Sequence, residues 1–224
     1  MKHFSILIPI LLLATACATK EPQIQSGPDA EVTFDGLVRI DHANFKYAWA
    51  EPDVDTRRYT KILPQRAEFE FRAVRGTTTG TSRSNQREFP ISEKDQEKLV
   101  EIVSEVFMEE LAKSRRFTIT DAPGPDVLIL TGTLLDVVSL VPPERAGRNE
   151  VYLSRVAEAT LVLELADSTS GETLVRAVER RAAERPGQMA VRANSATSWA
   201  EIRRLAQRWA TRLREGLDGI DDGP

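Results

Sequence analysis

Cysteine and histidine are almost absent: one cysteine, Cys17, and two histidines, His3 and His42, stand among 224 residues. That inventory is too small for a Cys/His zinc cage, a His-x-x-x-His metalloprotease face, a two-histidine centre or a disulfide framework. Stability has to come from burial. Aromatic residues make up only 6% of the chain, a thin supply for the stacking platforms of a sugar cleft. Charge is nearly balanced, with a formal net of -4, so no basic excess marks a general binder of nucleic acid or anionic lipid. Long apolar runs are lacking too. The one at the N-terminus, Phe4 to Leu13, is about 10 residues and holds Pro9, whereas a membrane-spanning helix needs about 20.

What is present begins with that short run. Met1-Lys2-His3 precedes it and the small residues Ala14-Thr15-Ala16 follow it, directly before Cys17. A charged start, an apolar middle and small residues at the end are the parts of a secretory signal, processed rather than spanning. The stretch "LATAC" resembles the lipobox of bacterial lipoproteins. In that class the cysteine sulfur receives a diacylglyceryl group and the cysteine becomes the new N-terminus, its amine usually acylated as well in Gram-negative bacteria. Each buried methylene contributes about 0.8 kcal/mol, so two or three chains on Cys17 form a firm anchor where one is marginal. The alternative is a plain secretory peptide with a chance cysteine. Ala18 and Thr19 follow Cys17 where inner-membrane lipoproteins tend to carry aspartate, which points to the outer membrane.

The reading divides the chain into a signal at 1–16, a lipidated N-terminus and flexible tether at 17–33, a domain at 34–218 and a polar tail at 219–224. Hydrophobic residues, 41% of the chain, suffice for one core. "RAEFEFRA" alternates Ala67, Phe69, Phe71 and Ala73 with charged residues, a strand with one buried face. "YTKIL" begins the same strand, and Pro64 suits an edge or bulge. Ser92 caps a helix whose apolar stripe runs through Leu99, Ile102, Val103, Val106, Phe107 and Leu111. "DVLILTGTLLDVVSLV" is apolar on both alternating faces, the pattern of a strand in mid-sheet. "VYLSRVAEATLVLEL" and "TLVRAVERRAA" flank a turn with Asp167 at its start and Gly171 free to take a positive φ, and so form a hairpin. Ser198-Trp199-Ala200-Glu201 reads as the capping box of a last helix buried through Ile202, Leu205, Trp209, Leu213 and Leu217. The expected fold is α+β: a mainly antiparallel sheet of about five strands with two long helices packed on one face.

The search for chemistry returns little. His42, in "RIDHANF" beside Asp41, is the one histidine left after the signal, and neighbours along a strand point apart, which is no triad. There is no Gly-x-Ser-x-Gly elbow and no Ser-x-x-Lys pair. "GTTTGTSRS" lacks the lysine and following helix of a phosphate loop. The 34 acidic residues always offer carboxylate pairs, yet nothing singles out two. Three features remain. Phe45, Tyr47 and Trp49 alternate and form an aromatic stripe, read as core packing over a ligand platform. Arg203, Arg204, Arg208 and Arg212 lie away from the last helix's stripe, read as a solvated face over a docking face. Arg83, Arg87, Arg145, Arg148, Arg185 and Arg192 fall in loops, where they could grip an anionic group but fit chance placement on polar loops as well.

Four stretches taken in order, "YAWAEPDVDTRRYTKILPQ", "DAPGPDVLILTGTLLDVV", "AEATLVLELADSTSGETLVRAVERR" and "RWATRLREGLD", resemble a bacterial lipoprotein family known as domain of unknown function 3313. The resemblance covers most of the mature chain and is most specific in the hairpin. It implies an envelope address and carries no functional residue beyond the lipidated Cys17. The expectation is a non-catalytic interaction or accessory module of the cell envelope, on the outer membrane facing the periplasm, with an envelope protein as partner, the membrane reached through the lipid, and no cofactor, metal or nucleic acid. The alternatives are a binder of a small ligand, peptide or lipid between sheet and loops, and a carboxylate-dependent hydrolase.

Overall fold

A computed structural model describes residues 20–74, 88–142, 152–184, 187, 190–192 and 194–220. Three long strands form its centre: β7 (Val127–Ser139), β9 (Arg155–Asp167) and β10 (Thr173–Glu184). β9 pairs antiparallel with both neighbours, placing Leu161 between Leu134 and Glu179, and Leu163 between Gly132 and Ala177. Along β9 the side chains of Ala159, Leu161, Leu163 and Leu165 are buried while their alternates are half-exposed. That period of two makes one sheet face apolar and the other polar.

Shorter strands extend the sheet: β1 (Gln23–Ile24), β2 (Val38–Asp41), β3 (Tyr47–Ala50), β4 (Lys61–Pro64), β5 (Glu68–Phe71) and β6 (Thr118–Ile119). The order is β1, β2, β3, β10, β9, β7, β4, β6, with β5 also on β7. Nine strands therefore replace the five expected. The surplus is β1, β2 and β3, together with the division of one expected strand into β4 and β5. β4 and β5 run parallel to β7 one after the other, Leu63 opposite Ile129 and Phe69 opposite Leu134. They follow one line along β7 that is interrupted after Pro64, and β6 covers the far side of β4. The sheet is thus mixed but mostly antiparallel. β8 (Tyr152–Leu153) and β11 (Val191–Arg192) form a separate two-stranded ladder. The range read as flexible tether holds β1: Gln23 and Ile24 pair with Asp41 and Ile40, and Val32 bridges to Val38.

α1 (Glu93–Leu111) starts where Ser92 accepts the amide of Asp95, and buries Leu99, Ile102, Val103, Val106 and Leu111. α2 (Ser195–Asp218) begins one position after Asn194, a turn before the capping box expected at Ser198. Asn194 Oδ1 accepts the Thr197 amide at 2.9 Å while Thr197 Oγ1 accepts the Asn194 amide at 3.2 Å. That reciprocal pair satisfies the free end, so Ser198 and Glu201 lie inside the helix, buried. The two helices pack on each other and α2 packs on β9 and β10. Trp209, Leu205, Leu213 and Leu217 join Val103, Val106, Leu161 and Leu163 in one core.

Two buried carboxylates pin the ends of this body. Asp218 accepts the Ser114 hydroxyl at 2.6 Å and the Arg115 amide at 3.0 Å, tying the end of α2 to the loop after α1. Asp167 accepts the amides of Thr169 and Ser170, both at 2.8 Å, the Tyr59 hydroxyl at 2.7 Å and the Arg58 guanidinium at 2.6 Å. Gly171, with φ +75, completes that turn in a conformation side chains resist. The Tyr59 hydroxyl, followed by the turn amides and Arg58, lowers the Asp167 carboxyl from 3.8 to about 2.

A carboxyl depressed on folding contributes stability above its unfolded value and loses it as pH falls through the folded one. Asp167→Asn is expected to cost about 1 to 3 kcal/mol at pH 7. It should also flatten the fall in urea midpoint between pH 5 and pH 2.5; a variant losing stability with acid as steeply as the wild type would contradict this role.

Candidate functional site

β10 is flanked by β9 along its length, but on its other side β3 pairs only with Val175 to Val178. Beyond Val178 the strand borders an open cleft of about 560 Å³. The β2–β3 connection supplies Ala43, Asn44, Phe45 and Lys46 to its wall, β9 supplies Arg155, β10 supplies Glu179 to Ala182 and Glu184, and α2 supplies Arg212. The connection reaches this place because Phe45 is buried in the core and pulls the chain inward before β3 begins.

Glu179 sits at the head of the cleft. Strand alternation places it on the apolar face with Ala177 and Ala183, and it is only 3% exposed. A carboxylate there needs partners. Arg212 Nη1 lies 2.8 and 2.9 Å from its two oxygens, and Arg181 Nε lies 2.7 Å from one of them. Sequence reasoning missed Glu179, although period two through "AVERRAA" already places it between two inward alanines.

Of the α2 arginines, Arg203 and Arg204 are exposed as expected, whereas Arg208 and Arg212 are half-buried. Arg203 reaches Glu105 on α1 at 2.6 Å, Arg204 binds Glu201, and Arg212 holds Glu179. Their carboxylates come largely from other elements, which helical spacing cannot show. Arg208 alone among the four has no carboxylate partner within the described residues, and its Nε is buried without a hydrogen bond. Burial pushes its guanidinium below the ordinary value, with repulsion from Arg181 and Arg204 opposed by the more weakly acting Glu184 and Glu201.

On the opposite face a chain of charges leads to the same cleft. Asp136 stands at a slip in the β7–β9 register with φ +60. Its carboxylate takes Arg72 Nε at 2.6 Å and Arg180 Nη1 at 2.9 Å, Arg180 reaches Glu158 at 3.2 Å, and Glu158 takes Arg155 at 2.8 Å. The Arg72 hydrogen bond, ahead of Arg180, holds Asp136 at about 2. Further along this face Tyr47 and Trp49 stack with centroids 6.1 Å apart, and Arg39 lies over both rings at 4.9 and 5.2 Å. The stripe read as core packing is therefore split: Phe45 precedes β3 and is buried, whereas Tyr47 and Trp49 point away from the core.

His42 is exposed in the β2–β3 turn with φ 58, remote from any nucleophile-and-acid arrangement. Cys17 and the loop arginines Arg83, Arg87, Arg145, Arg148 and Arg185 lie outside the described residues. Arg192 falls in β11, and its side chain is likewise outside the description. Among the described residues no group of three or more His, Cys, Asp or Glu is placed to hold a metal.

These features define an α+β protein with two helices, a mixed and mostly antiparallel sheet, and an open, cation-lined sheet edge. The chain belongs to the family described as "Protein of unknown function (DUF3313)", whose model matches residues 32–213. Comparison with curated proteins gives no match. Among solved structures, a protein of Xanthomonas campestris described as DUF330 shares 11% identity at TM-score 0.41, over 77% of this chain and 92% of that one. The PelC dodecamer of Paraburkholderia phytofirmans shares 12% at TM-score 0.36, over 76% and 94%. A putative neuraminyllactose-binding hemagglutinin homolog of Helicobacter pylori shares 9% at TM-score 0.36, over 74% and 91%.

The two charge environments in the cleft make opposite predictions. Glu179→Ala leaves two guanidiniums facing an apolar wall and is expected to cost about 3 to 5 kcal/mol. Arg208→Met removes an unpaired, half-buried cation while keeping its apolar stem, so its thermal midpoint should match or exceed the wild type. Differential scanning calorimetry separates the two, and a large loss in Arg208→Met would show that its guanidinium is satisfied in solution.

Proposed function

We propose that this chain is a bacterial outer-membrane lipoprotein, anchored through acylated Cys17 and facing the periplasm, that works as a non-catalytic interaction module of the cell envelope. The address rests on the lipobox-like "LATAC" after a short apolar run. Among the described residues no helix is long and apolar enough to cross a membrane. In this reading the lipid holds the chain and the folded body meets the partner.

The observation that carries the interaction role is the condition of the cleft's acid. Glu179 is clamped by Arg181 and Arg212, an arrangement suited to holding a strand and a helix together. Asp136 and Asp167, both held at about 2, are poor general acids at neutral pH. This weighs against a carboxylate-dependent hydrolase, which needs two facing acids with divided roles.

One observation favours the second reading, a binder of a small ligand, peptide or lipid. The cleft of about 560 Å³ is of ligand-pocket size. It is polar and shallow, a shape more fitting to a segment laid across it than to an enclosed molecule.

The address is tested on protein extracted from membranes. Mass spectrometry is expected to find Cys17 as the first residue, carrying a diacylglyceryl thioether. Cys17→Ser should move the protein out of the membrane fraction by at least about tenfold, given that the acyl chains supply the binding free energy. An unmodified Cys17, or a serine variant that stays membrane-bound, overturns the proposal.

A further inference from the structure

Backbone groups of alternate residues in a strand point to the same side. The Glu51 amide donates to Leu174 O at 2.8 Å on the β3 side of β10. Arg39 exchanges hydrogen bonds with Gln25 and Glu31 on its outer side, which turns Val38 toward Ala50 and therefore Trp49 toward β10. Trp49 faces Arg176 and Tyr47 faces Val178. The register of β10 with β9 is unbroken from Val175 to Ala183, so the same alternation sends the N–H and C=O of Arg180 and Ala182 out on the open side. Among the described residues no strand takes them up. An edge of this kind is a template for an added strand.

The side chains lining it are net positive. Lys46, Arg155, Arg180, Arg181 and Arg212 line the cleft against Glu179 and Glu184, and Arg155 and Arg180 also meet Glu158 and Asp136 beside it. Glu179 is taken up by Arg181 and Arg212, and no ion pair among the described residues involves Lys46. The cations do not converge on a point. Arg180 lies on the outer face with Asp136, and Arg181 lies on the helix face with Glu179, so they flank a line, which suits an extended chain better than a compact anion.

We propose that the open edge of β10 receives an extended acidic peptide segment of a partner protein, which adds as a strand beside Arg180 and Ala182 with its carboxylates toward Lys46, Arg181 and Arg212. This names the partner chemistry for the interaction module proposed above and rests on that reading. Main-chain hydrogen bonds supply affinity, and the flanking cations supply the choice of sequence. A segment of about four to six residues spans the open stretch at about 3.3 Å each.

The test pans a random nine-residue peptide library against the full-length chain in detergent micelles. Enriched peptides are expected to be acidic, with acidic and β-branched residues alternating, and the best of them should slow hydrogen exchange at the Arg180 and Ala182 amides. Ala182→Pro removes one of the two outward amides while leaving the bonds to β9, and should weaken that peptide at least tenfold without a large shift in thermal midpoint. Lys46→Glu, an exposed change independent of folding, should do the same. Enrichment with no acidic bias, or none at all, overturns the proposal. So does a best peptide that binds both variants within twofold of the wild type, or one that inorganic phosphate displaces fully, which would make the cleft an anion pocket. Each of these results leaves the Cys17 anchor, measured separately, untouched.

Discussion

The fold depends on one alternation. Along β9 the residues Ala159, Leu161, Leu163 and Leu165 are all turned to the same side and buried, and because β9 is central, β7 and β10 must present their inward residues at the same level. A single apolar face results, and water has to be excluded from it; α2, with Trp209, Leu205 and Leu213, does so. At about 25 cal/mol per Å² of apolar surface removed from water, this contact is the main favourable term in a body with no cysteine in its described residues. The other face carries the polar alternates, among them Thr160, Glu164, Arg176 and Arg180. Paired charges and aromatic-cation contacts occupy it instead of a second helical layer.

The same alternation creates one of the buried charges of the core. Period two cannot skip Glu179, so a carboxylate is delivered onto the apolar face near the end of the hairpin. The sheet alone cannot neutralise it, since Arg181 next along that face supplies one guanidinium at 2.7 Å and leaves oxygen capacity over. α2 brings Arg212 to complete the pair. A buried ion pair of this kind adds little net stability over apolar residues of similar size, but it penalises any helix position that leaves the acid alone. It therefore fixes the lengthwise position of α2 on β10. Arg208, one turn back, has no such partner and sits where Arg181 and Arg204 repel it, a cost with no structural return in the isolated chain.

The long elements were legible in the sequence because their signals are long. The stripe from Leu99 to Leu111, the two-faced strand from Val127, and the hairpin closed by Asp167 and Gly171 each repeat a period over ten or more residues, and each stands where it was read. What failed was short or non-local. β1 has two residues, below any periodicity, and was taken for tether because its neighbours are Pro22, Gly27 and Pro28. The start of α2 was misplaced because Ser198 and Glu201 match a capping box in type, while Asn194 and Thr197 make the real one. Tyr47 and Trp49 were assigned to the core on area alone; their strand instead turns the small Ala48 and Ala50 inward. Arg212 looked solvated because its partner, Glu179, is distant in sequence. The cleft could not be read at all, since it exists where β3 stops and β10 continues.

That difference in strand length also bears on self-association. An uncovered strand edge pairs with whatever edge it meets, and an identical copy is always at hand. Two copies meeting edge to edge through Arg180 and Ala182 would bring Lys46, Arg181 and Arg212 of one against the same residues of the other. Like charges within a few ångströms across a partly desolvated contact oppose that pairing. An acidic segment meets the reverse situation, with the backbone template equally available and the flanking field attractive. The arrangement is thus selective rather than merely protective: a net positive lining beside outward main-chain donors and acceptors disfavours the homotypic strand and favours a complementary one. Neutral or alternating charges along the edge would have guarded against neither or against both.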